Sequence, residues 1–114
     1  IVKNRLVPDT QVKLSLNRSR PPMPRNRNTD ALIARAQAIY QEIGLNLKAS
    51  GSGGGSDANY TAIAGCPTLD GLGVVGENGH TPEEYIHIDS IPPRLYLLTR
   101  MIMELGKSGP AAIK

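Results

Sequence analysis

Residues 53–64 read GGGSDANYTAIA, the end of a longer tract, SGSGGGS at 50–56, running into a segment that reads as a short helix over 57–64. Three structures fit such a tract. Gly and Ser alone make a flexible linker. A phosphate cradle needs Lys followed by Ser or Thr after its glycines, and here Ser56-Asp57 takes that place, with an aspartate that would repel phosphate. A strand-to-helix turn is the third, in which glycines let the backbone approach a ligand and Ser56 or Asp57 opens a helix whose free N–H groups favour an anion such as a carboxylate. The abrupt return to DANYTAIA weighs against a mere linker.

Upstream, TQVKLSLN at 10–17 alternates Val12, Leu14 and Leu16 with polar residues, the two-residue period of a half-buried strand. Pro21, Pro22 and Pro24 then fix φ and remove donors, so a hinge is expected over 20–27. A helix is expected from about Asp30, capped by Asn28 or Thr29, with Leu32, Ile33, Ala36, Ile39, Tyr40 and Ile43 on its buried face and Gly44 at its end. Leu45 to Ala49 is a short strand candidate, and CPTLDGLGVV at 66–75 reads as a buried strand entering a Gly-broken turn. GENGHTPEEY at 76–85 reads as an exposed loop. From Pro92, a second amphipathic helix carries Leu95, Leu98, Met101, Ile102 and Leu105 and is expected to stop at Gly106. Strands alternating with helices argue α/β packing.

Composition narrows the chemistry. The 114 residues hold one Cys, no Trp and no Phe, so no internal disulfide forms and the core is aliphatic. No apolar run approaches the roughly 20 residues that cross a bilayer, so no membrane partner is expected. Residues 1–35 carry eight basic side chains against two acidic ones, whereas the remainder carries five against eight. That basic front lacks base-stacking aromatics, a zinc module and helix-turn-helix spacing, which argues against nucleic acid and leaves a small acidic substrate as the better fit. One Cys suits cytoplasm and periplasm alike. The chain opens Ile1-Val2-Lys3, which suggests that 114 residues is less than the functional unit.

His80, beside Gly79 in the polar loop, suits a ring nitrogen presented to a metal or substrate, whereas His87, in the alternation YIHID, reads as structural. A closed metal site cannot be built from this chain alone, because no HExxH and no second His at ligand spacing from His80 is present. Cys66, before Pro67, reads as a small core hydrophobe. No pair of carboxylates stands out as acid and base.

GGGSDANYTAIAGCPTLDGLG at 53–73 and GENGHTPEEYIHIDSIPPRLYLLTRMIMELG at 76–106 closely resemble the C-terminal part of the glutamate carboxypeptidases. These are members of the dinuclear-zinc amidohydrolase family that also contains acetylornithine deacetylase, succinyl-diaminopimelate desuccinylase and aminoacylase. The likeness extends back through VKLSLNRSRPPM, but covers only the final portion of such enzymes. It implies an α/β fold: a C-terminal fragment of a zinc-peptidase catalytic domain over 28–114, preceded by a hinge at 20–27 and, at 1–19, the last strand of an α+β lid domain that mediates homodimerisation.

The resemblance also implies roles. His80 matches the family's last metal ligand, one contribution to a site holding two zinc ions. Arg20 matches the lid arginine that binds the substrate's free carboxylate, and Gly53 to Asp57 match the turn lining the substrate pocket, with Gly55 and Ser56 nearest the ligand. The family's general base and other ligands lie upstream of this chain, so no catalytic residue is expected within it and the fragment alone should be inactive. The expected substrate is a small peptide or N-acyl amino acid with a free, glutamate-like carboxylate, and the expected partner is the missing N-terminal part of the same enzyme. An N-acyl amino acid deacetylase is the alternative within the family. Outside it, the alternative is a stand-alone, non-enzymatic α/β module for anion binding or oligomerisation.

Overall fold

The computed structural model describes residues 9–17 and 20–108. The parts of the expected lid segment at 1–8 and 18–19 therefore lie outside the described residues. Among the described residues three helices and one two-stranded hairpin follow in order: α1 (Arg27–Gln41), α2 (Ala58–Ile63), β1 (Gly76–Glu77), β2 (Tyr85–Ile86) and α3 (Ile91–Ser108), the last entered through a 3₁₀ turn at Ile88–Ser90. This is a small mixed helix and strand architecture.

Helix α1 begins three residues before the expected Asp30. Asn26 is the cap: its side-chain oxygen accepts the N–H of Asn28 at 2.9 Å and of Thr29 at 3.0 Å, satisfying two donors that a helix start leaves open. At the other end Gly44 takes a φ of 72°, its N–H bonds to Gln41 O and that of Leu45 to Tyr40 O, a left-handed glycine closure. Gly44 thus ends the helix region, as its position suggests.

The core lies between α1 and α3. Leu32, Ala36, Ile39 and Tyr40 are buried against Leu97 and Met101, with Leu47, Leu69, Leu72, Tyr96 and Leu105 packed around them. The α1 face follows the expected spacing, although Ile43 is exposed. On α3 the expected stripe is wrong in part: Leu95, Leu98 and Ile102 face outward, and Leu97, absent from that stripe, is fully buried. The helix is apolar around much of its circumference, so periodicity alone does not select the side that meets α1. It also runs through Gly106 to Ser108; one interior glycine costs only about 1 kcal/mol, and Lys107 complements the helix dipole in the last turn.

Charge ties the two helices together beyond the core. Glu42 accepts from Arg100 Nη2 at 2.8 Å, from Arg100 Nε at 3.0 Å and from the Tyr96 hydroxyl at 2.6 Å. Hydrogen bonds from Arg100, then from Tyr96, hold the Glu42 carboxyl down at a pKa of about 2.

Expected strands at 10–17, 45–49 and 66–75 do not form. Val12, Leu14 and Leu16 are 63%, 71% and 79% exposed, and Val74 and Val75 are exposed as well. A strand needs a neighbour for its ladder, and among the described residues the one sheet is the β1–β2 pair, which these segments touch only at Val75, whose carbonyl accepts the His87 N–H at 2.8 Å. Cys66, expected in the core, is exposed too, because the chain around it turns over the surface rather than entering a sheet. The radius of gyration, 19.5 Å, exceeds the roughly 13 Å of a compact domain of this length. No helix among the described residues is long and apolar enough to cross a membrane.

Candidate functional site

The hinge and the glycine-rich turn face each other across an open cleft of about 460 Å³. Arg20, Pro21, Pro22 and Met23 line it from the hinge and Ser52, Gly53, Gly54 and Ser56 from the turn, together with Asn59 and Asp70. Arg20 spans the gap. Its Nη1 donates to the Gly55 carbonyl at 3.0 Å, its Nη2 lies 3.3 Å from Asp57 Oδ1, and its guanidinium sits 5.8 Å from the centre of the Tyr60 ring.

The glycine at 55 is what admits this approach. A Cβ there would stand 2.8 Å from Arg20 Cδ, closer than carbon atoms tolerate. Ser56 donates from its hydroxyl to Asp70 Oδ2 at 2.5 Å, and that hydroxyl accepts the Ala58 N–H at 3.2 Å. Asp70 also accepts the N–H of Gly71. The Ser56 hydrogen bond first, and the Gly71 N–H second, hold the Asp70 carboxyl below its ordinary range. Its negative charge is thereby absorbed by neutral donors. Asp57, by contrast, has a side chain 94% exposed, so its pair with Arg20 is a solvated one worth no more than about 1 kcal/mol. A stronger carboxylate ligand can displace it.

Asn59 carries no signal in the residue pattern, yet it is one of two buried polar side chains among the described residues. Its Nδ2 donates to the Pro21 carbonyl at 2.7 Å, and its Oδ1 accepts the Ser56 N–H at 2.9 Å. Asn59 stands in the first turn of α2, and while its bond to Ser56 is local, its bond to Pro21 reaches across the cleft to the hinge.

His80 stands elsewhere, in the turn of the β1–β2 hairpin. The strands pair antiparallel with Gly76 opposite Ile86 and Glu77 opposite Tyr85. Gly76 is required by that pairing, since a Cβ would overlap the Tyr85 carbonyl oxygen. The expected loop is therefore a turn clamped by a short ladder. Within it Asn78 and His80 take φ values of 57° and 69°, a region few non-glycine residues enter. Thr81 N–H and hydroxyl both donate to Asn78 O, and His80 N–H donates to Glu84 Oε2 at 3.3 Å. His80 is exposed and does not line the Arg20 cleft. His87 caps the 3₁₀ turn with its ring edge-on to Tyr85 at 5.3 Å, a structural placement.

The described residues contain no group of three or more His, Cys, Asp or Glu side chains placed to hold a metal ion. They do not fit a complete zinc centre, and His80 is at most one donor towards one.

A helix pair carrying a glycine-rich turn, an arginine laid into that turn and a histidine on a hairpin tip thus stand in one chain. Residues 4–104 match the model of peptidase family M20/M25/M40, and the chain belongs to that family. It is 38% identical over 102 residues to carboxypeptidase G2 of Pseudomonas sp. (strain RS-16), a match covering 88% of this chain and 25% of that protein. The chain thus spans about a quarter of the length of the curated relative it matches. No solved structure matches it.

Proposed function

We propose that this chain is the C-terminal part of a metallo-carboxypeptidase or amidase that cleaves an amide bond to an amino acid bearing a free, glutamate-like carboxylate. The observation that supports this most is the Arg20 guanidinium held over Gly55, with the solvated Asp57 carboxylate as its one anionic partner among the described residues. An arriving carboxylate would replace Asp57 and gain the planar, two-donor recognition that arginine offers. Gly55 leaves room for that approach, and Ser56, with its hydroxyl directed to Asp70, lines the far wall.

In this reading His80 supplies one imidazole to a zinc centre whose other donors, like the general base, belong to the remainder of the enzyme. Family membership and the likeness to a carboxypeptidase support that placement. So does the left-handed backbone of His80, since strained conformations gather at functional sites. The segment at 9–17 would be the end of a lid that also joins two subunits. The outward stripe of Leu95, Leu98 and Ile102 would pack against the remainder of the catalytic domain, which this part alone lacks. On its own the chain should hydrolyse nothing.

The test is hydrolysis by the complete enzyme of an N-acyl glutamate and of the same compound with its α-carboxylate converted to carboxamide. Preference for the free acid by tenfold or more in kcat/KM is expected. Equal turnover of both, or of neither, would overturn the reading.

A further inference from the structure

Arg20 reaches Gly55 across 35 residues of chain, and its own two contacts to the turn are exposed. Exposed bonds of that kind do not by themselves hold two separate segments at a fixed spacing. Asn59 does what they cannot. It is only 8% exposed, and its single amide bonds both walls: the Pro21 carbonyl on the hinge, 38 residues away in sequence, and the Ser56 N–H on the glycine-rich turn. The orientation of the amide is determined by its partners. Pro21 O can only accept and Ser56 N–H can only donate, so nitrogen must face the one and oxygen the other.

The consequence falls on Arg20. Pro21 is its direct neighbour, one Cα–Cα step of about 3.8 Å away, and the ring closures of Pro21 and Pro22 remove the φ freedom that would let the hinge swing. Anchoring the Pro21 carbonyl therefore anchors the backbone from which the Arg20 side chain springs. Resting on the function proposed above, we infer that Asn59 is a positioning residue for substrate-carboxylate recognition: it clamps hinge to turn and so sets where the Arg20 guanidinium stands. Asn59 itself touches no substrate in this account.

The Asn59→Asp variant separates this role from general packing. Aspartate keeps the volume and an acceptor for Ser56 N–H, but turns an oxygen towards the Pro21 carbonyl in place of a donor; Asn59→Leu, of similar volume, breaks the same bond without adding charge and should change KM in the same sense. In the complete enzyme KM for the N-acyl glutamate should rise about tenfold with kcat nearly unchanged, while KM for the carboxamide analogue stays as in wild type. An unchanged ratio of the two KM values, or an equal rise for both substrates, overturns the inference. If wild-type enzyme itself fails to distinguish the two substrates, the functional reading falls and the inference with it. If wild type distinguishes them and Asn59→Asp does so equally well, only the role of Asn59 falls. Should Asn59→Asp not fold, exchange of the Asn59 side-chain amide protons in wild type decides the clamp: slow exchange of the proton donated to Pro21 O is expected, and exchange at the rate of a free side-chain amide overturns it.

Discussion

The guanidinium of Arg20 lies 3.0 Å from the carbonyl oxygen of Gly55, which brings a proline-rich hinge and a glycine-rich turn together as the two walls of one cleft. Removing that guanidinium should cost recognition rather than chemistry. In the complete enzyme Arg20→Ala is expected to raise KM about tenfold to a hundredfold, the scale of a lost charge-assisted hydrogen bond. Metal content should be unchanged, which metal analysis beside steady-state kinetics would show. Loss of zinc with KM retained would refute the role.

Gly55→Ala should act on the same parameter from the other side. The new methyl would stand 2.8 Å from Arg20 Cδ, so the side chain must move off the turn. KM should rise, by less than for Arg20→Ala, while the melting temperature changes little because the collision is with an exposed side chain. An unaltered KM would show that the close approach has no part in binding.

His80→Ala should remove one metal per active site and most of kcat, with the fold intact. Gly76→Ala tests the support of the same residue: its methyl overlaps the Tyr85 carbonyl, so the hairpin must open, at about 1–3 kcal/mol of stability. Metal content by mass spectrometry and thermal melts separate the two. Full metal and full turnover in His80→Ala would end the ligand assignment.

Acid should loosen the α1–α3 pair. Glu42 titrates at about 2 in the folded protein against 4.5 ordinarily, held down by the Arg100 and then the Tyr96 hydrogen bonds. Because the folded value is the lower one, its contribution is complete above about pH 4.5 and is lost as pH falls from there through about 2. Glu42→Gln should be less stable than wild type near neutrality, with the difference shrinking across that window. Denaturant melts at successive pH values would show it, and a constant difference would contradict it.

Leu97→Ala should be severe. Leu97 is fully buried between the helices, and deleting such a side chain costs about 2–5 kcal/mol. Leu95→Ala, on the exposed side of the same helix, reports on what covers that stripe in the complete enzyme. A comparable cost there would mean that the stripe is buried by another part of the protein.

Local pattern carried much of this molecule. The spacing of Leu32, Ala36, Ile39 and Tyr40 marks the buried face of α1, and the order of glycine-rich turn, loop histidine and proline-started helix carries the family likeness that the comparisons bear out. Helix faces and caps depend on residues within a few positions of one another, so they are written in the chain itself. The alternation of Val12, Leu14 and Leu16 shows the limit of that logic: a period of two states what a strand would bury but cannot provide the strand beside it.

What the sequence determined by itself is therefore the three helices, the charge of the hinge and the family of the chain. Only the tertiary structure decided that α3 turns Leu97 rather than Leu95 towards α1, and that Arg20 meets Gly55 and shares one cleft with Ser56 while His80 stands on a separate hairpin. It alone disclosed Asn59, whose two bonds join residues 38 positions apart to its own turn. No periodicity records the bond to Pro21, because residues that far apart in sequence become neighbours only in the folded chain.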